Sequence, residues 1–144
     1  MQYKAGPFLK SDARRLKQIK SLIKDVEAHH TFLKGKLWEL KNSPQYFVPT
    51  SRATFCDEVL DNNQRVQVCK FRQVTTNPKS GKSNGLRILA VIVYKGDEPS
   101  KYIPILVYSA KEEKSTIFYE GKNYKLAKSG ISDLVKDRLD QLAI

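Results

Sequence analysis

The sequence predicts an α+β domain: an N-terminal strand and helix hairpin packed on a small, mainly antiparallel twisted sheet, with a C-terminal helix. Three features predict it. Apolar residues recur at steps of three and four between Leu16 and Leu40, the spacing of one helical stripe. From Val66 to Tyr108 the period changes to alternation and then to continuous apolar runs, as in strands. Helical spacing returns between Ile131 and Leu142. Segregated helices and strands place the helices on one face of the sheet and leave the other for a ligand. At 144 residues the chain reads as one domain, 1–144.

Residues 2–5 are expected as a short strand ending at Gly6-Pro7, with Ser11 or Asp12 capping the following helix. Leu16, Ile19, Ile23, Val26, His30, Leu33, Leu37 and Leu40 form its apolar stripe. Thr31 and Gly35 interrupt that stripe, which favours two helices folded back on each other over one rod. The element ends by Asn42-Ser43-Pro44, and residues 43–64 read as a loop or loose hairpin. Val66, Val68, Lys70, Arg72 and Val74 then share one strand face. A polar turn from Asn77 to Gly85 leads into the runs Leu86–Tyr94 and Tyr102–Tyr108, whose short connection implies antiparallel neighbours. The last helix has Ser129 or Ser132 as its cap.

Composition narrows the partner. There are 26 Lys+Arg against 15 Asp+Glu, a formal net charge of +11, which is the footprint of a polyanion: DNA, RNA, an anionic membrane or an acidic protein. With 40% hydrophobic residues the chain can bury a core. No apolar run approaches the ~20 residues of a membrane span, and the first ten residues lack a signal-peptide apolar region. A soluble, cytoplasmic protein is expected, with no membrane partner. Cys56 and Cys69 are too few for a disulfide scaffold or a four-cysteine zinc site.

Several chemistries are disfavoured. Gly81-Lys82-Ser83 invites comparison with a phosphate-binding loop, but the position that needs the first glycine holds Thr76, and the segment runs into a strand where the motif opens a helix. A basic loop that touches phosphates, through Lys79 and Lys82, remains a reading of it. His29 and His30 are neighbours on a helix and diverge, so His30 is expected part-buried on the stripe and His29 solvated, with no metal between them. No serine has a His/Asp partner set and no carboxylate cluster suggests Mg²⁺, so no metal and no cofactor are expected. What remains is a basic set: Lys70 and Arg72 on one strand, Arg87 at the start of the next, and Lys111 and Lys114 after the third. Antiparallel pairing brings positions 70–72 and 87 side by side, a cluster able to hold a scissile phosphate and neutralise charge that builds in the transition state. A lysine crowded by other cations also serves more readily in proton transfer. A solvated basic strand is the bland alternative.

The opening Tyr3–Leu16 with Ser21–Val26 resembles the first strand and helix of RelE/HigB-like toxins of bacterial type II toxin–antitoxin modules. The second half is more specific. Val68-Cys-Lys-Phe-Arg72, Gly81-Lys-Ser-Asn-Gly-Leu-Arg87 and Ile105–Lys114 resemble that family's succession K-x-R, GKSxGxR and an apolar strand followed by YSK-x-E-K. About two-thirds of the chain takes part. The resemblance implies a metal-independent mRNA endoribonuclease that acts on ribosome-bound mRNA, in which the RNA's own 2′-hydroxyl attacks the adjacent phosphorus. It also implies a cognate antitoxin as partner, beside mRNA and the ribosome with its rRNA. Lys70, Arg72, Arg87 and Lys111 match the family's basic positions, and Tyr119 is the candidate acid–base tyrosine, although strict counting falls on Phe118. Lys79, Lys82 and Lys114 are expected to touch RNA. Glu112 stands where some relatives have arginine, and residues 118–128 are longer than usual, with room for an extra hairpin around Gly121-Lys-Asn123.

Two other functions fit less closely. A ParE-like toxin that inhibits DNA gyrase does not need clustered cations on this face, and a basic nucleic-acid-binding module needs no catalysis. Arg87 is the first residue expected to matter. Gly85 beside it is expected to let a ligand approach the backbone, with the guanidinium unblocked, so that Arg87→Ala would spare the fold.

Overall fold

The computed structural model describes residues 1–36, 58–60, 64–96, 98–126 and 130–142. Its centre is a five-stranded sheet formed by β1 (Gln2–Tyr3), β2 (Glu58–Leu60), β3 (Gln64–Gln73), β6 (Leu86–Lys95) and β7 (Glu98–Ser109), in the order β1-β7-β6-β3-β2. All neighbours are antiparallel except β1, which runs parallel to β7. Between β3 and β6 lies a two-stranded ribbon of β4 (Thr75–Thr76) and β5 (Lys79–Ser80). A second ribbon, β8 (Thr116–Tyr119) and β9 (Lys122–Lys125), precedes the C-terminal helix. The helices are α1 (Leu9–Arg15), α2 (Leu22–Lys34) and α3 (Gly130–Asp140). The fold is the predicted α+β class, and none of these helices is long and apolar enough to cross a membrane.

β6 explains why the sheet has two cores. Every residue from Leu86 to Tyr94 is buried, so neither face of this strand alternates with polar residues. One face carries Cys69, Phe71, Ile88, Ala90 and Ile92 and is covered by α1 and α2 through Leu9, Leu16, Leu22, Val26 and Leu33. The other carries Val66, Val68, Leu89, Val91 and Val93, covered by Leu134 and Val135 of α3 and by Ile117 and Tyr124 of the β8–β9 ribbon. The expectation that one face stays open is therefore corrected. Its second half is taken by the C-terminal helix, and among the described residues only the end bearing Lys70 and Arg72 is left exposed.

The helix hairpin forms, but it breaks at residues 16–21 and not at Thr31 or Gly35, which lie in or cap α2. Asp12 does not cap: Phe8 holds the cap position of α1, and Asp12 sits inside the helix, 1% exposed. Both histidines are buried, against the expectation of a solvated His29. His29 Nδ1 is 2.8 Å from the Tyr102 hydroxyl, and burial, then the positive charge of His30 and of Lys82, pushes its pKa down to about 4. His30 Nε2 is 2.8 Å from the Met1 carbonyl oxygen. Leu37, Leu40, Cys56 and the turn Asp61-Asn62-Asn63 lie outside the described residues, as does Ser129; Ser132 falls inside the first turn of α3.

Beyond its short pairing with β1, the edge of β7 is satisfied by side chains. Gly6, at φ +68° and with Ile103 close above its Cα, turns the chain so that α1 runs along this edge. The Asp12 carboxylate accepts from the Val107 N–H at 2.9 Å, Arg15 donates to the Val107 carbonyl at 2.6 Å, and Arg138 of α3 donates to the Ile105 carbonyl at 3.0 Å. Arg138, 1% exposed, is held to Asp12 at 2.8 and 3.0 Å and lies over the rings of Phe8 and Tyr119. Arg15 continues the chain to Glu112 at 2.9 Å. A strand edge that would otherwise invite another chain is closed by charge.

Candidate nucleic-acid interface

Strand register assembles the candidate site. Arg72 lies opposite Arg87, and Arg87 lies opposite Tyr108, so the three form one row across β3, β6 and β7. Lys70 is in the next row, opposite Leu89. Residues paired across antiparallel strands point to the same face, and alternate positions along a strand share it. Lys70, Arg72, Arg87 and Tyr108 thus stand together on the face whose far part is covered by α3. Lys70 and Arg72 are exposed, and the Lys70 ammonium lies 5.7 Å from the centroid of the Tyr108 ring, within cation–π range. The Tyr108 hydroxyl is buried with no hydrogen-bond partner among the described residues.

Arg87 departs from its predicted setting. It is 3% exposed and its guanidinium is engaged on three sides: Nε donates to Glu113 at 2.8 Å, and the terminal nitrogens donate to the Lys82 and Ser83 carbonyls at 2.8 and 3.2 Å. Glu113 also offsets the repulsion of two arginines placed opposite each other. Gly85 is glycine for a different reason from the one expected. A Cβ there would lie 2.2 Å from the Gln73 carbonyl oxygen, so the neighbouring strand, not a ligand, fills the space. Arg87 is therefore a buried cation that shapes the basic loop as well as charging the row, and Arg87→Ala is expected to disturb the local fold.

That loop is tied down from the other side of the sheet. Asp25 of α2, 2% exposed, accepts from the Thr76 hydroxyl at 2.9 Å, the Thr76 N–H at 3.2 Å and the Ser21 hydroxyl at 2.6 Å. The Ser21 hydroxyl oxygen in turn accepts from the Asn77 N–H at 2.8 Å. Thr76 fills the place of the missing glycine by holding this anchor. Lys79 and Lys82 are exposed on the ribbon and on the 3-10 turn Lys82–Asn84, which leads into β6.

After β7, a 3-10 turn over Ala110–Glu112 is closed by a capping box between Ser109 and Glu112. Glu112, the departure from the family pattern, accepts from Arg15 and the Ser109 N–H. Lys111 and Lys114 are exposed to either side of Glu112 and Glu113. Tyr119 is not brought to the row by its own contacts. Its hydroxyl donates to Gln141 at 3.2 Å, its ring meets Phe8, Tyr124 and Arg138, and burial raises its pKa. The hairpin expected around Gly121 is present as β8–β9, with Glu120 and Gly121 both at positive φ, the signature of a tight two-residue turn.

Three residues escaped the sequence reading. Glu113 and Tyr108 were legible in principle, since the strand–turn–strand spacing puts Tyr108 near Arg87. Asp25 was not, because Thr76, the loop residue it anchors, lies 51 residues away. Against models of known families, curated proteins and solved structures, the chain finds no match.

Proposed function

We propose that this protein is a RelE/HigB-like toxin, a metal-independent endoribonuclease acting on ribosome-bound mRNA and restrained by a cognate antitoxin. The observation that carries the reading is the convergence of the basic residues of its two motifs, K-x-R and GKSxGxR, as Lys70, Arg72 and Arg87 in adjacent rows of one face. Lys70 and Arg72, held there without a partner carboxylate among the described residues, suit a phosphodiester, whereas a gyrase binder has no need of them. Arg72 and Lys70 hold the scissile phosphate, and Lys70 shares in the proton transfer. The 2′-oxygen attacks phosphorus as its proton leaves, the bond to the 5′-oxygen breaks, and that oxygen takes up a proton. Arg87 acts mostly from beneath, by fixing the loop that carries Lys82. Lys79, Lys82, Lys111 and Lys114 extend the positive surface around this row.

The test is cleavage of mRNA on programmed ribosomes in the presence of a chelator, alongside amino-acid incorporation in cells expressing the protein without antitoxin. Metal-free cleavage and arrested incorporation are expected, both removed by combining Lys70→Ala with Arg72→Ala. Normal incorporation with double-strand DNA breaks would instead indicate gyrase poisoning. RNA binding with intact RNA would leave a basic module without catalysis.

A further inference from the structure

Taking single-stranded RNA as the ligand, as in the reading above, we infer that the outer face of the β8–β9 ribbon is a second contact for it, with Phe118 as a stacking platform for an unpaired base. Register and burial divide the ribbon cleanly. Ile117 and Tyr124 are paired and buried against the sheet, whereas Phe118 is paired with Asn123, and Thr116 with Lys125, on the side that faces solvent. Phe118 is 71% exposed, the most of any large apolar side chain among the described residues. An aromatic ring left in water on a strand, with an amide across from it and a lysine diagonal to it, has the parts of a single-strand site. The ring stacks on any base, the amide meets a base edge, and the ammonium meets the backbone phosphate.

Charge argues for RNA over an apolar partner. Lys125 lies on this face and Lys114 just before the ribbon, both exposed, on a chain of net charge +11. A hydrophobic protein interface is depleted in lysine. Position argues the same way. Glu113, in contact with Arg87, is five residues before Phe118, and five residues span at most about 18 Å, so one strand of RNA can reach both. The inner side of the ribbon is pinned by Tyr124 to Asp137 of α3 and by the Leu126 N–H to the Ser115 carbonyl at 2.9 Å, which presents Phe118 from a fixed base.

The experiment is fluorescence anisotropy at low salt with a labelled 2′-O-methyl oligoadenylate, which cannot undergo 2′-hydroxyl attack, and with an abasic strand of equal length and charge. Phe118→Ala is expected to weaken binding of the oligoadenylate about tenfold and leave the abasic strand unchanged. Phe118→Trp should keep the affinity and show quenched emission on binding. Lys125→Ala should weaken both strands alike. Equal affinity of Phe118→Ala and parent for the oligoadenylate overturns the inference, as does a parent that binds neither strand. A dimer that Phe118→Ala converts to monomer, with RNA binding unchanged, would assign the face to a second copy of the chain. Tight binding without cleavage of natural RNA would overturn only the nuclease reading, and cleavage with a dispensable Phe118 only this one.

Discussion

Two clusters of charge flank the same C-terminal end of β7, one along its edge and one across its face, and they are built on different principles. Along its edge, Asp12 accepts four hydrogen bonds, two from Arg138, one from Arg15 and one from the Val107 N–H, filling the lone-pair sites of a carboxylate. The carboxylate has nothing left over for a ligand, and the one Arg138 nitrogen without a partner among the described residues, Nε, is buried. Across the face, Lys70 and Arg72 stand exposed without an acidic partner among the described residues, and Arg87 between β3 and β7 donates from all three of its guanidinium nitrogens. Residue type does not separate the two; the completeness of pairing does. A closed ionic cluster holds elements together, whereas an open one of a single sign keeps its field for something outside the molecule.

The sharpest way to break that contrast is Asp12→Ala. It strands Arg138 in the interior without its carboxylate and frees the edge of β7, and the loss of stability should be about 3–5 kcal/mol by denaturant unfolding. A loss below about 1 kcal/mol would mean that the cluster is not closed in the sense described.

Arg87 shares features of both clusters, and Arg87→Ala should act twice. Cleavage should slow by up to about a hundredfold, because the loop that carries Lys82 loses its position. Stability should fall by about 1–3 kcal/mol, because the Lys82 and Ser83 carbonyls lose a buried donor. Arg87→Lys recovers part of each. A variant that cleaves at the parent rate would remove Arg87 from the site.

His29, on the buried side of α2 against Tyr102 and belonging to neither cluster, can be read through pH. Its folded pKa of about 4 lies below the ordinary 6.5, so between those values the unfolded chain takes up a proton that the folded one refuses. Stability is therefore greatest above pH 6.5 and falls as the pH drops towards 4, by on the order of 3 kcal/mol from this group. His29→Gln should flatten that dependence between pH 7 and pH 4.5 in urea titrations. An identical slope in parent and variant would contradict the assignment.

The smallest stability effect belongs to the open side. Lys70→Ala and Arg72→Ala should change stability by no more than about 0.5 kcal/mol. Each should reduce the salt dependence of RNA binding by about one phosphate contact. If either variant unfolded the protein, these side chains would be structural after all.

The three long strands β3, β6 and β7 were legible in the residues alone, because a pattern of alternation followed by unbroken apolar runs has few other solutions once short turns force antiparallel neighbours, whereas β2 and the β4–β5 ribbon were not. With the strands came the side-by-side placement of Lys70, Arg72 and Arg87, since register follows from the turn between β3 and β6 and from side-chain parity. The hairpin at Gly121 was legible for the same local reason. Tertiary structure alone decided which cations are free. Arg87 and Arg72 look alike in sequence, yet only one meets Glu113 and two loop carbonyls. It also decided that α3 covers the second face and that Asp12, a plausible cap, is instead the partner of Arg138, 126 residues away. Burial and pairing are sums over the neighbours that folding brings together, and no local pattern contains them.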